Sequence, residues 1–121
     1  MNTLDKLRRI RTAQDTMRQS NRSGGHHECF RASPGGETEE HIRTKFEIWL
    51  ALRKRGVACM TEAVFKNGKR ADCIDMINHV IYEVLHNETD DEFLEKIKDY
   101  PSLFEIRRVR TGEPFNEQMI D

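Results

Sequence analysis

The spacing of apolar positions gives its first clear helical signal between residues 37 and 56. In ETEEHIRTKFEIWLALRKRG, Ile42, Phe46, Trp49, Leu50 and Leu52 form one apolar side. Thr38 with its acidic neighbours makes a good N-terminus, and Arg53, Lys54 and Arg55 fill the last turn before Gly56. VACMTEAVF (57–65) then reads as a strand, followed by the turn signal Asn67-Gly68. RADCIDMI (70–77) and VIYEVLHN (80–87) are the next two strands, joined at Asn78-His79. TDDEFLEKIKDYP predicts a second helix, with Thr89 as N-cap, acids in its first turn and Pro101 closing it. FEIRRVRT (104–111) alternates like a last strand, with Phe104, Ile106 and Arg108 on one side and Glu105, Arg107 and Val109 on the other. The tail from 113 to 121 reads as loose.

Residues 1–36 differ in kind. They are rich in Arg, Ser, Gly and Gln, and Leu4, Leu7 and Ile10 at helical spacing predict a short helix. Up to Gly24, Lys6, Arg8, Arg9, Arg11, Arg18 and Arg22 face only Asp5 and Asp15. Such an arm is either a solvated, partly disordered tail or a contact for phosphates. The expected organisation is therefore an arm over 1–36, a core over 37–112 and a tail over 113–121.

Composition narrows the classes. The 121 residues suit one domain, and hydrophobic residues make up only 36% of them. With 20 basic and 21 acidic residues the net charge is −1, so bulk electrostatics give no case for nucleic acid beyond local patches. No apolar run approaches the ~20 residues of a membrane span. The three scattered cysteines argue against a disulfide framework and for a reducing, cytoplasmic setting. His26, His27, Glu28 and Cys29 hint at zinc, but no second ligand pair follows.

Two strand carboxylates carry the candidate chemistry. With the turn at Asn78-His79, Asp72 and Glu83 are diagonal neighbours on one face, and a loop longer by one pair sets them directly opposite. Asp75 points to the other face. Beside Ile74, Ile81 and Leu85 the two carboxylates repel and lose solvation, which raises at least one pKa unless a cation compensates. A divalent Mg²⁺ or Mn²⁺ suits such hard oxygens. Pairing with Arg70, Lys45 or Arg107 is the plainer alternative.

The order of elements, with these acids in place, resembles the PD-(D/E)xK nuclease superfamily, and more narrowly the nuclease domain of the CoiA-like competence proteins. ETEEHIRTK resembles that family's first-helix motif through Glu37, His41 and Lys45. TEAVF supplies a strand acid, Glu62. RADCID matches through Arg70 and Asp72, YEVLHNE through Glu83, and KIKDYP through Tyr100. The similarity covers roughly residues 37–101. It implies a restriction-endonuclease-like αβββαβ core, a mixed four-stranded sheet flanked by two helices, preceded by the basic arm.

The resemblance also implies a function: hydrolysis of DNA phosphodiester bonds with Mg²⁺ or Mn²⁺. Asp72 and Glu83, with the Val84 carbonyl, would hold metal, and Glu37 or Glu40 would complete the shell. Glu62 would assist. The family's lysine two residues beyond the glutamate is here Leu85, on the metal face, so Lys45, Lys96 or Lys98 would have to supply the cation. The HHEC segment would be a remnant of a Cys/His-rich region in that family.

Other residues have both functional and plain explanations. His41 and Lys45, four apart on one helix face, touch a phosphate or brace Glu62, or else border the apolar stripe. Lys66, Lys69, Arg70, Arg107, Arg108 and Arg110 line a DNA groove, or else the arginines protect an edge strand. The partner expected is single- or double-stranded DNA, with a second copy of the chain where both strands are cut, and no membrane. Two alternatives stay open: a catalytically inactive nucleic-acid-binding or regulatory protein on the same fold, and a small viral or mobile-element protein whose carboxylates form only structural salt bridges.

Overall fold

The structure is a computed structural model and describes residues 1–18 and 37–121. Its elements run α1 (Thr3–Gln14), α2 (Glu39–Lys54), β1 (Cys59–Val64), β2 (Arg70–Asp75), β3 (Val80–Leu85), α3 (Asp90–Ile97) and β4 (Glu105–Arg110). A short 3₁₀ helix, Glu117–Ile120, follows. The sheet order is β1-β2-β3-β4, antiparallel except for the parallel pair β3–β4. The fold is thus α/β with a mixed four-stranded sheet and flanking helices, and from α2 onward its helices and strands fall in the order that the pattern of apolar positions predicts. The HHEC segment lies outside the described residues.

Capping explains the helix bounds. The Thr38 hydroxyl accepts from His41 N at 3.1 Å, and Gly56 leaves α2 with φ of +75°. Thr89 caps α3 by accepting from Glu92 N at 3.2 Å. The apolar side of α2 is turned from the one expected. Lys45, Ile48, Ala51 and Leu52 are buried, whereas Ile42 and Phe46 are exposed. The spacing of 45, 48 and 52 fits a helical stripe equally well, but a lysine at its head hides it from a count of apolar residues.

α1 forms, but Leu4 and Leu7 are 55% and 57% exposed while Ala13 and Met17 are fully buried. Small Ala13 lets the helix approach the sheet, and the chain after it pairs with the end of β1. Met17 bridges Phe65, Arg18 N donates to Val64 O at 3.0 Å, and Lys66 N to Thr16 O at 3.1 Å. His79 Nε2 lies 2.8 Å from Arg9 O, and Arg9 Nε donates to Ile77 O. Residues 1–18 therefore belong to the packed body.

The turn between β2 and β3 takes four residues, Met76 to His79. Asp75 fixes it by accepting from Ile77 N at 2.9 Å and Asn78 N at 2.8 Å, and His79 adopts φ of +57°. Asp75 thereby pairs with Val80, the register longer by one pair. One core holds Met17, Phe65, Ile74, Ile81, Tyr100 and Phe104. The other holds Ile48, Leu52, Cys73, Tyr82, Val84 and Ile120. The tail is docked, not loose: Ile120 is buried, its carbonyl accepts from Tyr82 Oη at 3.1 Å, and Asp121 pairs with Arg55 at 2.8 Å.

Candidate functional site: a buried carboxylate pair

Main-chain pairing of β2 with β3 runs Asp75–Val80, Ile74–Ile81 and Cys73–Tyr82. One step further the count sets Asp72 across from Glu83, and there side chains replace the ladder. Asp72 N donates to Glu83 Oε1 at 3.2 Å, and Val84 N donates to Asp72 Oδ2 at 2.8 Å. The Asp72 and Val84 N–H groups freed by the missing rungs are thus satisfied by the two carboxylates, which enter where the strands part.

Glu83 is fully buried. Tyr100 Oη lies 3.0 Å from its Oε1 and 2.8 Å from Arg70 O, so the single hydroxyl proton is shared between two acceptors. Lys96 Nζ stands 2.9 Å from Oε2. That contact is an ion pair without hydrogen-bond alignment, and among the described residues Glu83 Oε2 is the buried side-chain polar atom that lacks an aligned partner. Burial first, and then the charge of Asp72, push the Glu83 carboxyl up to about 7, against the opposing pull of Lys96 and Tyr100. Asp72 responds the other way. Burial would raise it, but His41, Lys96 and the Val84 N–H outweigh burial and hold it below its ordinary value.

His41 sits between two carboxylates, with Nδ1 2.8 Å from Glu37 Oε2 and Nε2 3.5 Å from Asp72 Oδ2. Acceptors at both ring nitrogens favour the doubly protonated ring. Burial opposes this, yet Asp72 and Glu37 win and raise the ring above its usual value. Lys45, 0% exposed, reaches Glu37 at 2.7 Å and also pairs with Glu62. Glu62 adopts φ of +56°, a left-handed conformation rare for a side chain of its kind, and Arg70 Nη1 lies 3.5 Å from its Oε2. A continuous array of alternating charge therefore runs Arg70, Glu62, Lys45, Glu37, His41, Asp72.

Of the residues singled out from the sequence, Asp72, Glu83, Lys96, His41, Lys45, Glu37, Glu62 and Arg70 come together. Leu85 is fully buried and carries no charge to the pair. Lys98 points elsewhere and pairs with Glu95 at 2.5 Å. Glu40 lines a surface depression with Arg43, Thr44, Glu47 and residues 112–115. Arg108 and Arg110 stand beside Glu83 and Leu85 in the β3–β4 register and share Asp90, at 2.6 and 3.9 Å. Arg107 alternates to the other face, where it meets Glu105 and the Ile120 carbonyl. Lys66 and Lys69 lie at the β1–β2 hairpin tip and form no ion pair with either carboxylate. Cys73 is buried, with its thiol pushed up by burial, as a small apolar residue would sit.

Sequence reasoning missed two contacts. Lys45 braces Glu62, as its helix face predicts, whereas His41 braces Asp72 instead. Tyr100, noticed only as the end of a helix motif, grips Glu83. Its position just before Pro101 gave no signal of that contact.

Among the described residues, no three His, Cys, Asp or Glu side chains converge as a ready metal cage. No helix among them is long and apolar enough to cross a membrane. Compared with protein-family models, curated proteins and solved structures, the chain matches none of them.

Proposed function

We propose that the chain is a metal-dependent nuclease of the PD-(D/E)xK type that hydrolyses DNA phosphodiester bonds, with Lys96 standing in for the lysine that Leu85 replaces. The observation that carries this reading is the lysine from α3 at 2.9 Å from Glu83, beside the carboxylate that enters the opened β2–β3 ladder. The element order from α2 to β4, with β3 and β4 parallel, is the order that a restriction-endonuclease-like core requires.

The donor set fits a hard divalent ion. Mg²⁺ keeps several waters and uses one or two carboxylates, so two acids without a third are enough. Glu83 Oε2 is a buried acceptor without an aligned donor. Asp72, Glu83 and the Val84 carbonyl would hold the ion, which would supply a Lewis acid and a bound water of lowered pKa. Lys96 is placed to steady negative charge beside Glu83. Tyr100 fixes the Glu83 carboxylate, and His41 fixes that of Asp72. Glu37, Glu62 and Lys45 hold His41 in turn. Glu40 and Lys98 have no part in this assignment.

A second reading has its own support. His41 and Lys96 already neutralise the pair from within the chain, which is what a nucleic-acid-binding protein without chemistry on this fold would display. The test is cleavage of labelled single- and double-stranded DNA in Mg²⁺, Mn²⁺ or EDTA, with Glu83→Gln beside the native protein. Metal-dependent cutting lost in the variant supports the nuclease. DNA binding without turnover, by a folded protein, supports the second reading. Cutting of both strands together would call for a second copy of the chain.

A further inference from the structure

The β1–β2 hairpin closes tightly around Gly68, whose φ is +91°. Gly68 N donates to Phe65 O at 2.9 Å and Phe65 N to Lys69 O at 2.8 Å. Asn67 locks the tip twice: its Oδ1 accepts from Lys69 N at 3.0 Å, and its Nδ2 donates to Asp99 O at 2.6 Å. The segment after α1 holds it from a third side, through the Lys66–Thr16 and Arg18–Val64 backbone bonds.

Four cations decorate this rigid tip. Lys66 is exposed and Lys69 half-buried on the turn, and Arg70 opens β2. Arg18 lies against the bare backbone of the turn: a Cβ on Gly68 would stand 3.0 Å from its Nη2. Glu62 faces Arg70 at 3.5 Å, and Glu95 is taken by Lys98. Asp99, whose carbonyl accepts from Asn67, borders the tip, and Glu95 feels the charge of Lys69, yet among the described residues Arg18, Lys66 and Lys69 form no ion pair with any acid. Arg108 and Arg110 differ in this respect, since both share Asp90. Like charges held near one another on a fixed scaffold repel unless an anion joins them. Arg70 and Asp72 are alternate residues of β2, roughly 7 Å apart along the strand, so the basic tip leads directly to the carboxylate pair.

We propose that this tip, Arg18 with Lys66, Lys69 and Arg70, binds the sugar–phosphate backbone of a nucleic-acid strand and guides it toward Asp72 and Glu83. The inference rests on the reading of the chain as a protein that acts on nucleic acid. Contacts of this type give affinity without base readout and a steep dependence on salt.

Binding of a fluorescent oligonucleotide in EDTA, followed by anisotropy at several salt concentrations, tests it apart from catalysis. Lys66→Gln/Lys69→Gln, and separately Arg18→Gln, are compared with the native chain and with Lys54→Gln as a remote control. The double variant is expected to bind about tenfold more weakly. Its plot of log K against log salt should be shallower by about 1.4 for a single strand or 1.8 for a duplex, two phosphate contacts' worth. Lys54→Gln should match the native chain. Native affinity and slope in both tip variants would overturn the proposal, as would a native chain that binds no oligonucleotide at low salt. Equal affinity for polyglutamate at the same salt would assign the tip to an acidic protein and also overturn it. Tip-dependent binding without cleavage in Mg²⁺ would leave this inference standing and remove the nuclease. Cleavage with unchanged tip variants would do the reverse.

Discussion

A carboxylate buried beside another carboxylate sheds its charge unless cations hold it, and Glu83 stands near that balance. Its carboxyl is pushed up to about 7 from an ordinary 4.5, so the folded chain takes up a proton between those values. The associated stability is present below the lower value and is lost as pH rises through the upper one, on the order of 3 kcal/mol. Without metal, Glu83→Gln should therefore gain stability relative to the native chain as pH goes from 5 to 8, read as the difference in Tm. His41 titrates in both proteins, so its share largely cancels, while Asp72, held below its ordinary value, stays ionised across this range. Parallel profiles would show that the carboxyl is ionised throughout. Lys96→Met should lower metal-dependent cleavage by about 10²- to 10³-fold, the loss typical of a single charge-stabilising donor. Its fold should persist, because the Lys96 side chain is 42% exposed. Kinetics beside circular dichroism separate the two effects.

Among the elements, α2 is tied to the sheet by charge as much as by apolar contact. Lys45→Met would leave Glu37 and Glu62 beside a buried apolar side chain, and loss of one partner of a buried pair destabilises by about 3–5 kcal/mol. Urea denaturation should show that loss, and Lys45→Met with Glu62→Gln should recover part of it. If the single variant is as stable as the native chain, α2 is held by Ile48, Ala51 and Leu52 alone. The helix and strand bounds were legible because Thr38, Thr89, Gly56 and Asn67-Gly68 act locally. The exposed side of α2 was misjudged because Ile42 and Phe46 are apolar and Lys45 is not, so tertiary ion pairing overrode the apolar count. Asp72 and Glu83 were legible from strand parity. The reach of His41 and Tyr100 was not, since it depends on how α2 and the end of α3 meet the sheet.

For the whole molecule, the tail is part of the body. Ile120 closes the core under Tyr82 and Arg107, and Arg55 clasps Asp121. Removing residues 117–121 should lower stability by about 2–5 kcal/mol, the range for loss of a large buried aliphatic side chain, checked by thermal unfolding. An unchanged Tm would mean that the tail only rests on the surface. The molecule then reads as a sheet with one basic edge at the β1–β2 tip, a carboxylate pair where β2 and β3 part, and a lysine from α3 over that pair. The most direct test of this account is cleavage of labelled DNA by the native chain and by Lys96→Met, in Mg²⁺ and in EDTA. The native chain should cut in Mg²⁺ alone, and the folded variant should lose nearly all of that cutting. No cutting by a folded native chain, or equal cutting by Lys96→Met, would contradict it.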